Sequence, residues 1–101
     1  MKIIFVSGPY RAKTEWELVE NIRRAEAAAI KLWQSGFAAI CPHLNTAHFG
    51  GLCDDQVWLE GDLEILRRCD AIFMLRGWEN SEGARMEKRT AEKCGLEIHY
   101  Q

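Results

Sequence analysis

No apolar run in this chain approaches the ~20 residues that a membrane-spanning helix requires; the longest are strand-sized. An excess of one charge is also lacking, because 13 Lys and Arg stand against 15 Asp and Glu, a formal net charge of -2. That balance provides no overall basic field for a nucleic-acid polymer or an anionic membrane, so phosphate binding has to be local. The four cysteines (Cys41, Cys53, Cys69, Cys94) include no CxxC pair and follow no secretory signal. Disulfides are therefore not expected, and a reducing, cytoplasmic setting is. MKIIFVSGPYR runs into Gly8-Pro9 without a small-residue cleavage site and reads as a first strand, not a signal peptide. Neither the GxxxxGK[ST] phosphate loop nor the GxGxxG dinucleotide fingerprint occurs. Linkers, repeats and low-complexity segments are missing too, which leaves one domain over residues 1–101.

What is present alternates between two periods. KIIFVS (2–7), FAAIC (37–41), AIFML (71–75) and LEIHY (96–100) are short apolar, β-rich runs bounded by Gly, Pro or Asp. Thr14 followed by Glu17 has capping-box spacing and opens a helix to Ser35, with Val19, Ile22, Ala25, Ala29 and Trp33 along one face. Asp54 or Asp55 caps a second helix to about Cys69, and Ser81 opens a third that Gly95 stops. Residues 42–55 read as a loop rich in His, Asn and Gly. The order βαβαβαβ predicts a three-layer α/β domain: a parallel sheet of about four strands with helices on both faces. Ligands in such sheets sit beyond the carboxyl ends of the strands. Three segments lie there: SGPYRA, PHLNTAHFGG and RGWENSEG. They offer Gly8, Pro9, Tyr10, Arg11, His43, Asn45, Trp78, Ser81 and Gly83 as candidate substrate-binding residues.

Two acids fall on the wrong faces. At about 100° per residue, Gly83, Ala84, Thr90, Ala91 and Cys94 share the side of Glu87, while the other charges of that helix point away. Asp62 repeats the pattern among Trp58, Leu59, Ile65, Leu66 and Cys69. An unpaired buried carboxylate costs several kcal/mol or shifts its pKa. Either each acid accepts hydrogen bonds from a nearby loop or helix end, or the two line one pocket and do nucleophilic or acid–base work on a sugar. Gly83 in the first turn either leaves backbone N–H groups open to an anion or permits close approach to a strand. Cys69 and Cys94, near helix ends on apolar faces, read as core residues.

SGPYR, NIRRAEAAAIKLWQSG, DLEILRRCDAIFML and SEGARME followed by AEKCG, in that order, resemble the nucleoside 2-deoxyribosyltransferase superfamily, including its 2′-deoxynucleoside 5′-monophosphate N-glycosidase branch. The resemblance implies a flavodoxin-like or Rossmann-like sheet and a retaining mechanism. It makes Glu87 the nucleophile and Asp62 the acid that holds the substrate and assists departure of the base. Ser81, six residues before Glu87, stands where the phosphate-using branch binds a 5′-phosphate. Gly8 and Arg11 would line the phosphate and sugar side, with Tyr10 against the substrate and Trp78 able to stack on a base. A nucleoside or nucleotide is the implied small-molecule ligand, without a cofactor. The alternative on the same fold is a non-catalytic nucleotide-binding module.

Cys41, His43, His48 and Cys53 match no common zinc spacing, so no metal is expected. Four tryptophans, with Trp16 and Trp33 on the first helix, exceed what one small sheet covers and point to a homodimer or higher homo-oligomer.

Overall fold

A computed structural model describes all 101 residues. Four strands form one parallel sheet in the order β2-β1-β3-β4: β1 (Ile3–Ser7), β2 (Ala38–Ile40), β3 (Ala71–Met74) and β4 (Glu97–Tyr100). The helices are α1 (Glu15–Gln34), α2 (Pro42–Asn45), α3 (Asp55–Arg67) and α4 (Glu82–Lys93), with a single 3-10 turn at Trp78–Asn80. The expected three-layer α/β arrangement is present, and its strand order is the beginning of the flavodoxin-like series.

Period-two alternation along the strands makes two cores. Ile4, Val6, Ala71 and Leu75 face α1, where they meet Ala25, Ala28, Ala29 and Leu32. Phe5, Ile72 and Met74 face the other way, onto Leu66, Cys69, Ala84 and Ala91 of α3, α4 and the turn after α3. From β1 the chain runs outward to β2, then crosses back to β3 on the far side. This reversal opens a crevice at the carboxyl ends of β1 and β3, where Ser7 and Met74 are register partners.

Three local expectations are corrected. The segment after β2 begins with a short helix, α2, because Pro42 fits the first helical position and the Cys41 carbonyl accepts from Leu44 N–H at 3.0 Å. The sheet-facing side of α1 is Asn21, Ala25, Ala28, Ala29 and Leu32, while Val19 and Trp33 remain exposed. Three alanines let the helix approach the sheet closely, which a face containing Trp33 would prevent. Cys69 is buried as expected, but Cys94 is exposed, since it follows the last turn of α4 and has left the helix's inner face.

The β1–β3 ladder continues one step past the strands, with Leu75 N–H donating to Ser7 O at 2.8 Å. This draws Gly8 onto Leu75, so that a Cβ at Gly8 would lie 2.6 Å from Leu75 Cβ. Gly8→Ala is expected to cost about 1–3 kcal/mol in urea unfolding, the order seen for overfilled cores. Unchanged stability would show that the turn has room to yield.

Candidate active site

Ser7 ends β1 fully buried, on the same side as Phe5. Its hydroxyl donates to Glu87 Oε1 at 2.7 Å, joining residues 80 positions apart. Glu87 reaches this point because Ser81 sets the start of α4: the Ser81 Oγ accepts from Ala84 N–H at 3.2 Å. Counting from that cap, Ala84 and Ala91 are buried against the sheet and Glu87 lies between them on the same side. Asp62 comes from α3, one turn before the fully buried Leu66. Both acids line one cleft of about 650 Å³ at the crevice, within the size range of small-molecule sites.

Burial dominates the electrostatics. It lifts Asp62 from 3.8 to about 6. Glu87 is lifted from 4.5 to about 7, first by burial and further by the negative charge of Asp62, against the hydrogen bond from Ser7, which favours its ionised form. Glu87 Oε2 receives no hydrogen bond from the protein.

The first turn of α4 forms another wall. The first backbone bond of the helix runs from Arg85 N–H to Ser81 O at 2.9 Å, so the N–H groups of Glu82 and Gly83 have no backbone partner. A Cβ at Gly83 would meet nothing within 4 Å, so this glycine is not there to touch a strand; its open side borders the cleft. Across the mouth, Arg11 forms an exposed ion pair with Asp55 at 2.5 Å. The cleft is nevertheless acidic, with Asp55, Asp62, Glu82 and Glu87 on its walls and Arg11 as its one formal cation.

Gly8, Pro9, Tyr10, Arg11, His43, Ser81 and Gly83 all border the cleft with Glu87 and Asp62. His43 does so as a clamp. Its Nε2 lies 2.9 Å from Pro9 O, an acceptor only, so that nitrogen carries the proton. Burial pushes its pKa down, and the ring meets Tyr10 edge-on with centroids 5.6 Å apart. Asn21 adds a second tie, Nδ2 to Tyr10 O at 3.0 Å. Two expected residues lie elsewhere. Asn45 borders a separate apolar groove beside β2, because α2 turns it away from the crevice. Trp78 lies against Tyr100, at 6.2 Å between centroids, and beneath Lys88 Nζ. The tryptophan on the cleft wall is instead Trp58, whose buried indole N–H has no hydrogen-bond partner. Ser7 was not among the expected site residues. The signal for it was the one polar side chain at the end of a buried strand, on the face shared with Phe5. Nowhere does the fold gather three or more His, Cys, Asp or Glu side chains in a metal-holding group.

A 2-1-3-4 parallel sheet with this crevice defines an α/β domain of the 2-deoxyribosyltransferase fold. Two solved structures carry the likeness. A 2-deoxyribosyltransferase from Leishmania mexicana superposes with a TM-score of 0.68 at 19% identity, covering 99% of this chain and 63% of the enzyme. A 2-deoxyribosyltransferase from Bacillus psychrosaccharolyticus gives 0.67 at 18% identity, covering 97% and 70%. The chain thus spans less than two thirds of the first of these proteins. By sequence it belongs to the DUF4406 family, a domain of unknown function whose family model matches residues 2–100. No curated protein matches the sequence.

Because folded Glu87 binds its proton up to about 7 and an ordinary glutamate only to 4.5, the folded state holds the extra proton between those values. Stability contributed at this site therefore falls as pH rises through that window and stays low above it. Glu87→Gln is expected to be more stable than wild type by about 3 kcal/mol at pH 8, with the difference vanishing near pH 4. Chemical denaturation at the two pH values reads this directly; a pH-independent difference would refute the buried titration.

Proposed function

We propose that the chain is an N-glycosidase or deoxyribosyltransferase that cleaves the N-glycosidic bond of (deoxy)nucleosides or their 5′-monophosphates through a glycosyl ester on Glu87. The observation that carries this reading is a carboxylate held by Ser7 Oγ at 2.7 Å in the cleft that also holds Asp62. A Glu87 carboxylate oxygen attacks the anomeric carbon, and the C–N bond breaks with its electron pair passing to the base nitrogen. Asp62 gives its proton to the departing base. Water or a second base then attacks the same carbon, gives its proton to the Asp62 carboxylate, and restores the Glu87 carboxylate as the ester C–O bond breaks. Two displacements retain configuration.

The active form holds one proton on the acid pair, which titrates as a unit near 6 and 7. Ser81 and the open N–H groups of α4 suit a 5′-phosphate, and Arg11 can turn from Asp55 to meet it. The acidic side chains on the same walls, three of them charged in that form, oppose a dianion and favour an uncharged nucleoside. A second reading, a nucleotide-binding module without turnover, is favoured by one observation: with its pKa raised to about 7, Glu87 is about half protonated at neutral pH and weakened as a nucleophile.

Incubation with paired deoxynucleosides and monophosphates, with and without an acceptor base, separates the readings. Release of free base that disappears in Glu87→Ala supports the enzyme. A raised Tm without turnover supports the module, and neither response sinks both. For the enzyme, kcat/KM is expected to be bell-shaped with limbs near 6 and 7. Ser7→Ala removes the hydrogen bond that favours ionised Glu87, so the limb belonging to Glu87 moves to higher pH; an unmoved profile would deny Ser7 that role.

A further inference from the structure

We infer that α1 is the interface of a two-fold symmetric homodimer, in which it lies antiparallel against α1 of a second copy, with Arg23 of each chain meeting Glu26 of the other. The observation is a seam of residues on the one long helix of the fold, all exposed except the half-buried Glu26. Trp16, Val19, Arg23, Glu26, Ile30 and Trp33 follow the alternating three- and four-residue steps of a heptad seam across the 20 residues of α1. The opposite side of the helix is already committed to the sheet through Asn21, Ala25, Ala28 and Leu32. Trp16 and Trp33 are 77% and 56% exposed, more than an isolated surface tryptophan requires, and Val19 and Ile30 are open as well.

The order of types along the seam fixes both partner and orientation. Read in either direction it runs aromatic, aliphatic, charged, oppositely charged, aliphatic, aromatic. A surface that reads the same backwards is self-complementary under a two-fold axis, the requirement of an isologous dimer. The antiparallel arrangement layers Trp16 on Trp33, Val19 on Ile30 and Arg23 on Glu26. A parallel pair would instead set Arg23 on Arg23 and Glu26 on Glu26, two like-charge layers at the centre. Within one chain Arg23 Nη1 already lies 3.1 Å from Glu26 Oε1, so the dimer closes a four-charge ring around the axis. Beyond Trp33 the apolar surface continues into the groove of about 510 Å³ that Ala39, Ile40 and Leu44 form along the free edge of β2. That groove enlarges a contact that a single helix pair would leave small.

Sedimentation velocity on the full chain from about 1 to about 100 micromolar is the test, a range that reads dissociation constants in the micromolar decades. Wild type is expected to form dimers. Arg23→Glu and Glu26→Arg are each expected to weaken the dimer at least about tenfold, and the double swap to recover it, because only the antiparallel register exchanges the two charges. Trp33→Glu is expected to give monomer. Thermal melts at the lowest concentration show that each variant is folded. A monomeric wild type throughout, dimers indifferent to Arg23→Glu, or a double swap that fails to recover the dimer would each overturn the proposal.

Discussion

A hydrogen bond from Ser7 to Glu87 ties the end of the central strand to the last helix, and the cleft depends on it. A carboxylate buried against a sheet needs a donor, or it stays protonated and electrically silent. Ser7 supplies one donor and only partly offsets the burial, so Glu87 rests near neutrality instead of at the ordinary acid value. The same bond fixes one oxygen and leaves the other without a protein partner. Everything else around the crevice serves to hold these two elements in register: the β1–β3 ladder, the Ser81 cap and the close approach of Gly8 to Leu75.

The loop between β1 and α1 is held in a comparable way. Pro9 O and Tyr10 O are taken by His43 and Asn21, so the Gly8–Arg11 turn is clamped from two elements and presents its outer side to the cleft. His43 does this as a neutral ring, which its burial enforces. The histidine of the α2 segment thus shapes the site through the backbone it holds. Opposite this turn, the first residues of α4 bring unpaired N–H groups and an unfilled space at Gly83. The acidic walls and the single guanidinium of Arg11 leave the local charge balance to decide between a phosphorylated and an uncharged ligand.

Much of this was legible because helical periodicity is rigid. Glu87 and Asp62 stood out as charges on apolar faces, and the fold brings both to one cleft. The alternation of strand and helix was equally readable, as was the cap at Ser81. What escaped was set by tertiary contact. Trp78 stands three residues from Ser81 in sequence, yet it turns toward Tyr100, while Trp58, one turn before Asp62, occupies the cleft wall. Asn45 was placed by its segment, and the helical turn at Pro42 redirected it. The inner side of α1 follows its small alanines and not its largest side chains, which is why Trp33 remains outside. Ser7 was hidden in an apolar run whose final residue is buried like the rest but spends its hydroxyl on Glu87.

The central claim is that Glu87 becomes covalently attached to a sugar. Quenching the protein during incubation with a deoxynucleoside or its monophosphate, followed by peptide mapping by mass spectrometry, tests it most directly. The account predicts one deoxyribosyl or phosphodeoxyribosyl adduct on the peptide carrying Glu87, absent from Glu87→Ala. Base release without any adduct, or an adduct on another residue, would contradict it.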